Sequence, residues 1–109
     1  MSYSVIAIPK FEKDLKWLAK KYPSLRKDYF EFVQELKEKP DQGTPLGNHC
    51  YKIRMSITSK GKGKPGGARV ITYLQVLNTT VYLLSIYDKS EKDTISAQEL
   101  SDLLKSIPK

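Results

Sequence analysis

The chain opens with Tyr-Ser-Val-Ile-Ala-Ile over residues 3–8, a β-branched run stopped by Pro9, which predicts a strand. From Phe11 the period lengthens. Phe11, Leu15, Leu18 and Tyr22 recur at helical spacing with Lys13, Lys16 and Lys20 turned away, and the pattern breaks at Pro23. Leu25, Tyr29, Phe32 and Leu36 then restate it as far as Lys39-Pro40, predicting a second helix packed back on the first as a hairpin. Asp41 to Asn48 reads as loop. Between Tyr51 and Ile57 the period is two: Tyr51, Ile53, Met55 and Ile57 alternate with polar positions, so Lys52 and Arg54 share a strand face. A Gly/Lys loop, Ser59 to Gly67, leads into a strand from Ala68 to Val76 in which Arg69, Ile71 and Tyr73 share a face. Asn78-Thr79 suits a hairpin turn. Val81 to Tyr87 is almost wholly apolar, as a central strand buried on both faces would be, and it ends at Asp88-Lys89. Finally Ser96-Ala-Gln-Glu99 forms a capping box flanked by Ile95 and Leu100 as a hydrophobic staple, and Leu103, Leu104 and Ile107 continue the helix.

The order β-α-α-β-β-β-α predicts an α+β fold with helices packed on a small antiparallel sheet. At 109 residues, one domain spanning 1–109 is the expectation. Mean hydropathy is −0.48 and no apolar run nears the roughly 20 residues that cross a bilayer, so no membrane partner is expected. The apolar N-terminal run has no basic lead-in, which argues against a secretory signal and for a cytoplasmic protein. Cys50, the only cysteine, can form no intramolecular disulfide; it fits a reducing compartment and reads as a small half-buried hydrophobe.

Charge sharpens the picture. The net +7 is unevenly spread: residues 1–41 carry +2, residues 42–87 carry +6 and residues 88–109 carry −1. No carboxylate lies between Asp41 and Asp88, whereas Lys52, Arg54, Lys60, Lys62, Lys64 and Arg69 all do. That asymmetry suits a polyanion partner, with a merely solvated basic loop as the plainer alternative.

Most catalytic chemistries fail on this sequence. Gly61-Lys-Gly63-Lys-Pro-Gly66 matches a dinucleotide-binding spacing, but a strand follows it, so no helix N-terminus is there for a pyrophosphate. The kinase elements and the Walker A motif are absent. His49 is the only histidine, which rules out paired-histidine ribonuclease chemistry, two-histidine zinc sites and a Ser-His triad, and leaves it as a loop or strand-edge residue. Carboxylates flank the basic stretch without entering it, so neither a metal nor another cofactor is expected. Guanidinium and ammonium groups near Tyr73, Tyr82 and Tyr87 remain. Arginine can hold two phosphate oxygens and stabilise a pentacoordinate phosphorane, lysine can protonate a leaving group, and tyrosine can stack on unpaired bases or simply pack.

Lys52-Ile-Arg54, the run Ser59-Lys-Gly-Lys-Gly-Lys-Pro-Gly-Gly-Ala-Arg69-Val-Ile-Thr-Tyr73 and the run Val81-Tyr-Leu-Leu-Ser-Ile-Tyr-Asp-Lys-Ser-Glu91 together resemble the RelE/ParE toxin superfamily, most nearly its HigB-like branch. The likeness covers nearly the whole chain. It implies a type II toxin that cuts mRNA in the ribosomal A site, without metal, by attack of the ribose 2′-OH on the adjacent phosphate, and that is silenced by a cognate antitoxin in a toxin–antitoxin hetero-oligomer. Carried over by motif, Arg69 stabilises the transition-state phosphate and Lys89 supplies the basic position after the last strand. Arg54 with Lys52, Lys60, Lys62 and Lys64 grips RNA, and Tyr73 or Tyr87 orients a base. No tyrosine or histidine follows Tyr87, a departure from the pattern that leaves the general acid and base unassigned. Two other readings stand beside it: a ParE-like inhibitor of DNA gyrase on the same fold, and a non-enzymatic basic module that binds RNA or the ribosome.

Overall fold

A computed structural model describes residues 2–92 and 94–107. The chain runs β1 (Ser4–Ala7), α1 (Pro9–Lys21), α2 (Leu25–Glu38), β2 (Thr44–Gly47), β3 (Cys50–Met55), a 3-10 turn (Thr58–Lys60), β4 (Ala68–Gln75), β5 (Thr80–Asp88) and α3 (Ala97–Leu104). The five strands form one sheet in the order β1-β5-β4-β3-β2. This is the expected α+β architecture, with two additions. Within the Asp41–Asn48 stretch expected to be loop, Thr44–Gly47 pairs with β3 as a short edge strand. The sheet is also mixed, because β1 runs parallel to β5 while every other pair is antiparallel. A helix pair between β1 and the rest of the chain makes the crossover that a parallel pairing requires.

The helices form where the sequence period demands. Phe11, Leu15 and Leu18 of α1 and Leu25, Phe32 and Leu36 of α2 are buried, spaced by one or two turns along a single stripe of each helix. They pack on a sheet whose interior strand β5, between β1 and β4, is buried along its entire length. The ring of Phe11 lies 5.8 Å from that of Tyr29, joining the two helices. In α3, Ser96 accepts from the Glu99 N–H and the Glu99 carboxylate accepts from the Ser96 N–H, the predicted capping box; Leu100 and Leu103 are buried.

Turns position the rest. Gly47 faces Cys50 across Asn48 and His49, both left-handed at φ 53° and 62°, the backbone of a primed two-residue hairpin. The single histidine is thus an exposed turn residue. Cys50 is buried and burial pushes its thiol up to about 11, so it behaves as a hydrophobe. At Gly67 a Cβ would sit 2.1 Å from the Met55 carbonyl oxygen, so only glycine lets the loop return to the sheet there.

Candidate functional site

On β3, Ile53 and Met55 are buried in the core, which sends Lys52 and Arg54 to the opposite face. Arg54 is directly opposite Arg69 on β4, and Arg69 is directly opposite Tyr87 on β5. Directly opposed residues share a face with Cα atoms about 5 Å apart, so Arg54, Arg69 and Tyr87 form one row across three strands. Lys52 and Ile71 occupy the next row of that face. Lys89 follows immediately beyond β5, exposed, and its N–H donates to the Gly67 carbonyl at 3.0 Å, placing it beside the start of β4.

These groups differ in access. Arg54, Lys62 and Lys64 are exposed, and Lys52 is half-buried. Arg69 is only 2% exposed: its guanidinium donates to the carbonyls of Lys64 (3.3 Å), Pro65 (3.0 Å) and Ala68 (3.2 Å), so it holds the Gly/Lys loop against the sheet. Tyr87 is nearly buried as well, with the Lys92 ammonium 4.9 Å above its ring. Tyr73 is brought no closer to the arginine row than its position four residues along β4, roughly 13 Å. Its ring packs 6.3 Å from that of Tyr82.

Lys60 has a different role from the one its sequence context suggests. Its side chain is 9% exposed and its ammonium donates at 2.7 Å to Asp88, which is completely buried. Asp88 also accepts from the Tyr22 hydroxyl and from the Ser90 N–H at 3.0 Å. Burial alone would raise the Asp88 pKa, but the hydrogen bonds from Lys60, Tyr22 and Ser90 outweigh it and hold the carboxyl well below the usual carboxylate range. The same bond to Asp88, helped by desolvation, pushes the Tyr22 hydroxyl up to about 12. The Lys60 end of the loop is pinned again at α2. There Asp28 accepts from the Thr58 N–H at 2.8 Å and its hydroxyl at 2.6 Å, while Ser24 accepts from the Ser59 N–H at 2.8 Å.

The basic loop is therefore a clamped structure. Asp28 and Asp88 hold its first end, Arg69 and the Gly67–Lys89 backbone bond hold its second, and Lys62 and Lys64 project between. Sequence reading did not find Asp88, Tyr22 or Asp28 as site-forming residues. The available signal was Asp88 itself, an ionisable group closing a strand that is otherwise apolar. Among the described residues no three His, Cys, Asp or Glu side chains lie close enough to hold a metal ion.

No family model matches the chain. A solved structure of E. coli toxin RelE, an arginine-to-alanine double mutant in the free state, superposes with a TM-score of 0.65 over 99% of this chain and 100% of that one. The fold is that of RelE. The toxin–antitoxin complex RelBE2 of Mycobacterium tuberculosis has a chain matching with a TM-score of 0.60 over 81% of this chain and 99% of its own. Sequence identity is 18% and 20% respectively, so the likeness is one of RelE architecture: the same sheet and helices carrying mostly different side chains.

Proposed function

We propose that this chain is the toxin of a toxin–antitoxin pair and an endoribonuclease that cleaves mRNA in the ribosomal A site. One observation carries the reading. Arg54 and Arg69 stand directly opposite each other on adjacent strands, which sets two guanidinium-bearing side chains in one row, a pairing whose like charges a bound phosphodiester would offset. The RelE architecture and the carboxylate-free stretch from Gln42 to Tyr87 support the same conclusion.

In this reading Arg54 and Arg69 hold the non-bridging oxygens of the scissile phosphate. The ribose 2′-oxygen attacks phosphorus as its proton passes to a water molecule, the P–O5′ bond breaks, and the Lys89 ammonium passes a proton to the departing O5′. The products are a 2′,3′-cyclic phosphate and a 5′-OH. Lys52, Lys62 and Lys64 hold flanking phosphates, Tyr87 supports the Arg69 row, and Lys60 acts through Asp88 to set the loop. A phosphate that reaches Arg69 displaces the Lys64 and Pro65 carbonyls, so the loop shifts on binding. A cognate antitoxin is the expected protein partner; the RelBE2 structure is a complex of that kind.

The test is purified protein added to ribosomes programmed with a defined mRNA. Cleavage leaving cyclic phosphate ends is expected, with a loss of at least about 100-fold in Arg69→Ala, the scale on which a transition-state charge stabiliser acts. A folded Arg69→Ala protein that cuts at the original rate would overturn the assignment.

A further inference from the structure

Arg69 is covered by the loop that leads into its own strand. From Gly61 to Pro65 every residue is exposed, and Gly66 is half-buried, so the segment contributes nothing to the core. Among the described residues, the hydrogen bonds tying Gly61 to Gly66 to the sheet are those from the Arg69 guanidinium to the carbonyls of Lys64 and Pro65. The others join neighbours along the chain, the Gly61 N–H to Thr58 and the Gly67 N–H to Lys64. Both ends are fixed. Lys60 is held by buried Asp88, and Gly67, packed against the Met55 carbonyl, accepts the Lys89 N–H. A segment without buried side chains, fastened at its ends and touched in the middle by one guanidinium, is the part of this molecule whose local opening disturbs least.

Two glycines set its closed shape. Gly63 is left-handed at φ 64°, and a Cβ there meets nothing nearer than the Pro65 ring at 3.7 Å, so a side chain is resisted by the backbone angle alone. Gly66 lies where a Cβ would be 2.5 Å from that of Lys62, so the loop is curled tightly on itself. We propose that Gly61 to Gly66 is an autoinhibitory latch: in the unliganded chain the Lys64 and Pro65 carbonyls take the guanidinium donors that a phosphate needs, and a polyanion opens the site by drawing Lys62 and Lys64 outward. Phosphate oxygens win the exchange because a charged acceptor holds a guanidinium more strongly than a carbonyl does, and the released carbonyls turn to water. Apparent affinity is then the intrinsic affinity scaled by the fraction of chains with the latch open, so whatever strains the closed loop tightens binding. The inference deepens the proposed function, since it rests on reading Arg69 as a phosphate-binding group.

The experiment labels the full chain with phenylglyoxal, which attacks accessible guanidinium groups, and compares by mass spectrometry the peptides carrying Arg69 and exposed Arg54. Arg69 is expected to label far more slowly than Arg54 in the wild type. Gly63→Ala, strained in the closed loop, and Gly66→Ala, which clashes there, are each expected to speed Arg69 labelling roughly tenfold and to tighten binding of 2′-O-methyl hexauridylate, a strand without an attacking hydroxyl, by about the same factor. Gly63→Asn, whose side chain tolerates left-handed backbone, is expected to match the wild type. The buried Cys50 thiol should stay unreactive throughout, showing that only the loop has opened. Wild-type Arg69 labelling as fast as Arg54, labelling unchanged in both alanine variants, or labelling that rises only together with Cys50 reactivity would each overturn the latch. Faster labelling and tighter binding in variants of a chain that leaves ribosomal mRNA uncut would support the latch and overturn the ribonuclease reading; cutting with unchanged labelling would do the reverse.

Discussion

At the scale of single residues, Asp88 carries the most consequence. A carboxylate with no exposed surface is tolerable only because Lys60, Tyr22 and Ser90 all donate to it. Asp88→Ala strands the Lys60 ammonium at 9% exposure and should cost about 3 kcal/mol in urea unfolding, with the loop loosened as well. The pH dependence follows from the two shifts. The Asp88 carboxyl titrates lower in the folded chain than in the unfolded one, so its contribution is present above about pH 4 and is lost as pH falls below that. The Tyr22 hydroxyl titrates higher when folded, so its contribution is complete below about pH 10 and is lost as pH rises toward 12. Urea midpoints measured across pH should fall at both ends, and Tyr22→Phe should abolish the alkaline loss attributable to this hydroxyl. Lys52 and Arg54 were legible as sharing one strand's face, and Arg69, Ile71 and Tyr73 as sharing another's, from the alternation within each strand; that the two faces coincide is set by the register of β3 on β4. That Lys60 would turn inward was not legible, because its partner lies 28 positions away and pairs through tertiary packing.

Elements were legible wherever periodicity or local chemistry marks them. Helical spacing marked α1 and α2, an almost wholly apolar run marked β5, and the Ser96–Glu99 box marked the start of α3. β2 escaped because Thr-Pro-Leu-Gly has no alternation of its own and exists only through its ladder to β3. The parallel pairing of β1 with β5 is a property of the assembled sheet and left no mark on residues 3–8. Gly67 shows how an element boundary is enforced. Gly67→Ala pushes a methyl to 2.1 Å from the Met55 carbonyl oxygen, and separating β3 from the loop should cost about 1–3 kcal/mol, read as a lowered melting temperature. Since Gly67 also accepts the Lys89 N–H, cleavage should fall more steeply than stability; activity that tracks the folded fraction alone would refute the placement of Lys89.

For the whole molecule, the net +7 becomes informative once the sheet has sorted it. Arg54, Lys62, Lys64 and Lys89 lie exposed around one end of the sheet, while Lys60 is neutralised inside it. Binding to single-stranded RNA should weaken with salt at about 0.7 log units per phosphate contact. Lys62→Ala and Lys64→Ala should each reduce that slope by about 0.7, whereas Lys60→Met should lower stability and leave the slope unchanged. A slope that drops equally for Lys60→Met would show that charge counting, without the Asp88 pair, describes the surface.

The most direct measurement is to induce the chain in a bacterial host without an antitoxin and map RNA 5′ ends across many transcripts, beside an Arg69→Ala control shown to fold. The account predicts growth arrest with cuts confined to translated regions, carrying 5′-OH ends and absent in the control. Growth arrest with intact mRNA and inhibited DNA supercoiling would contradict it, giving the same RelE architecture a gyrase target.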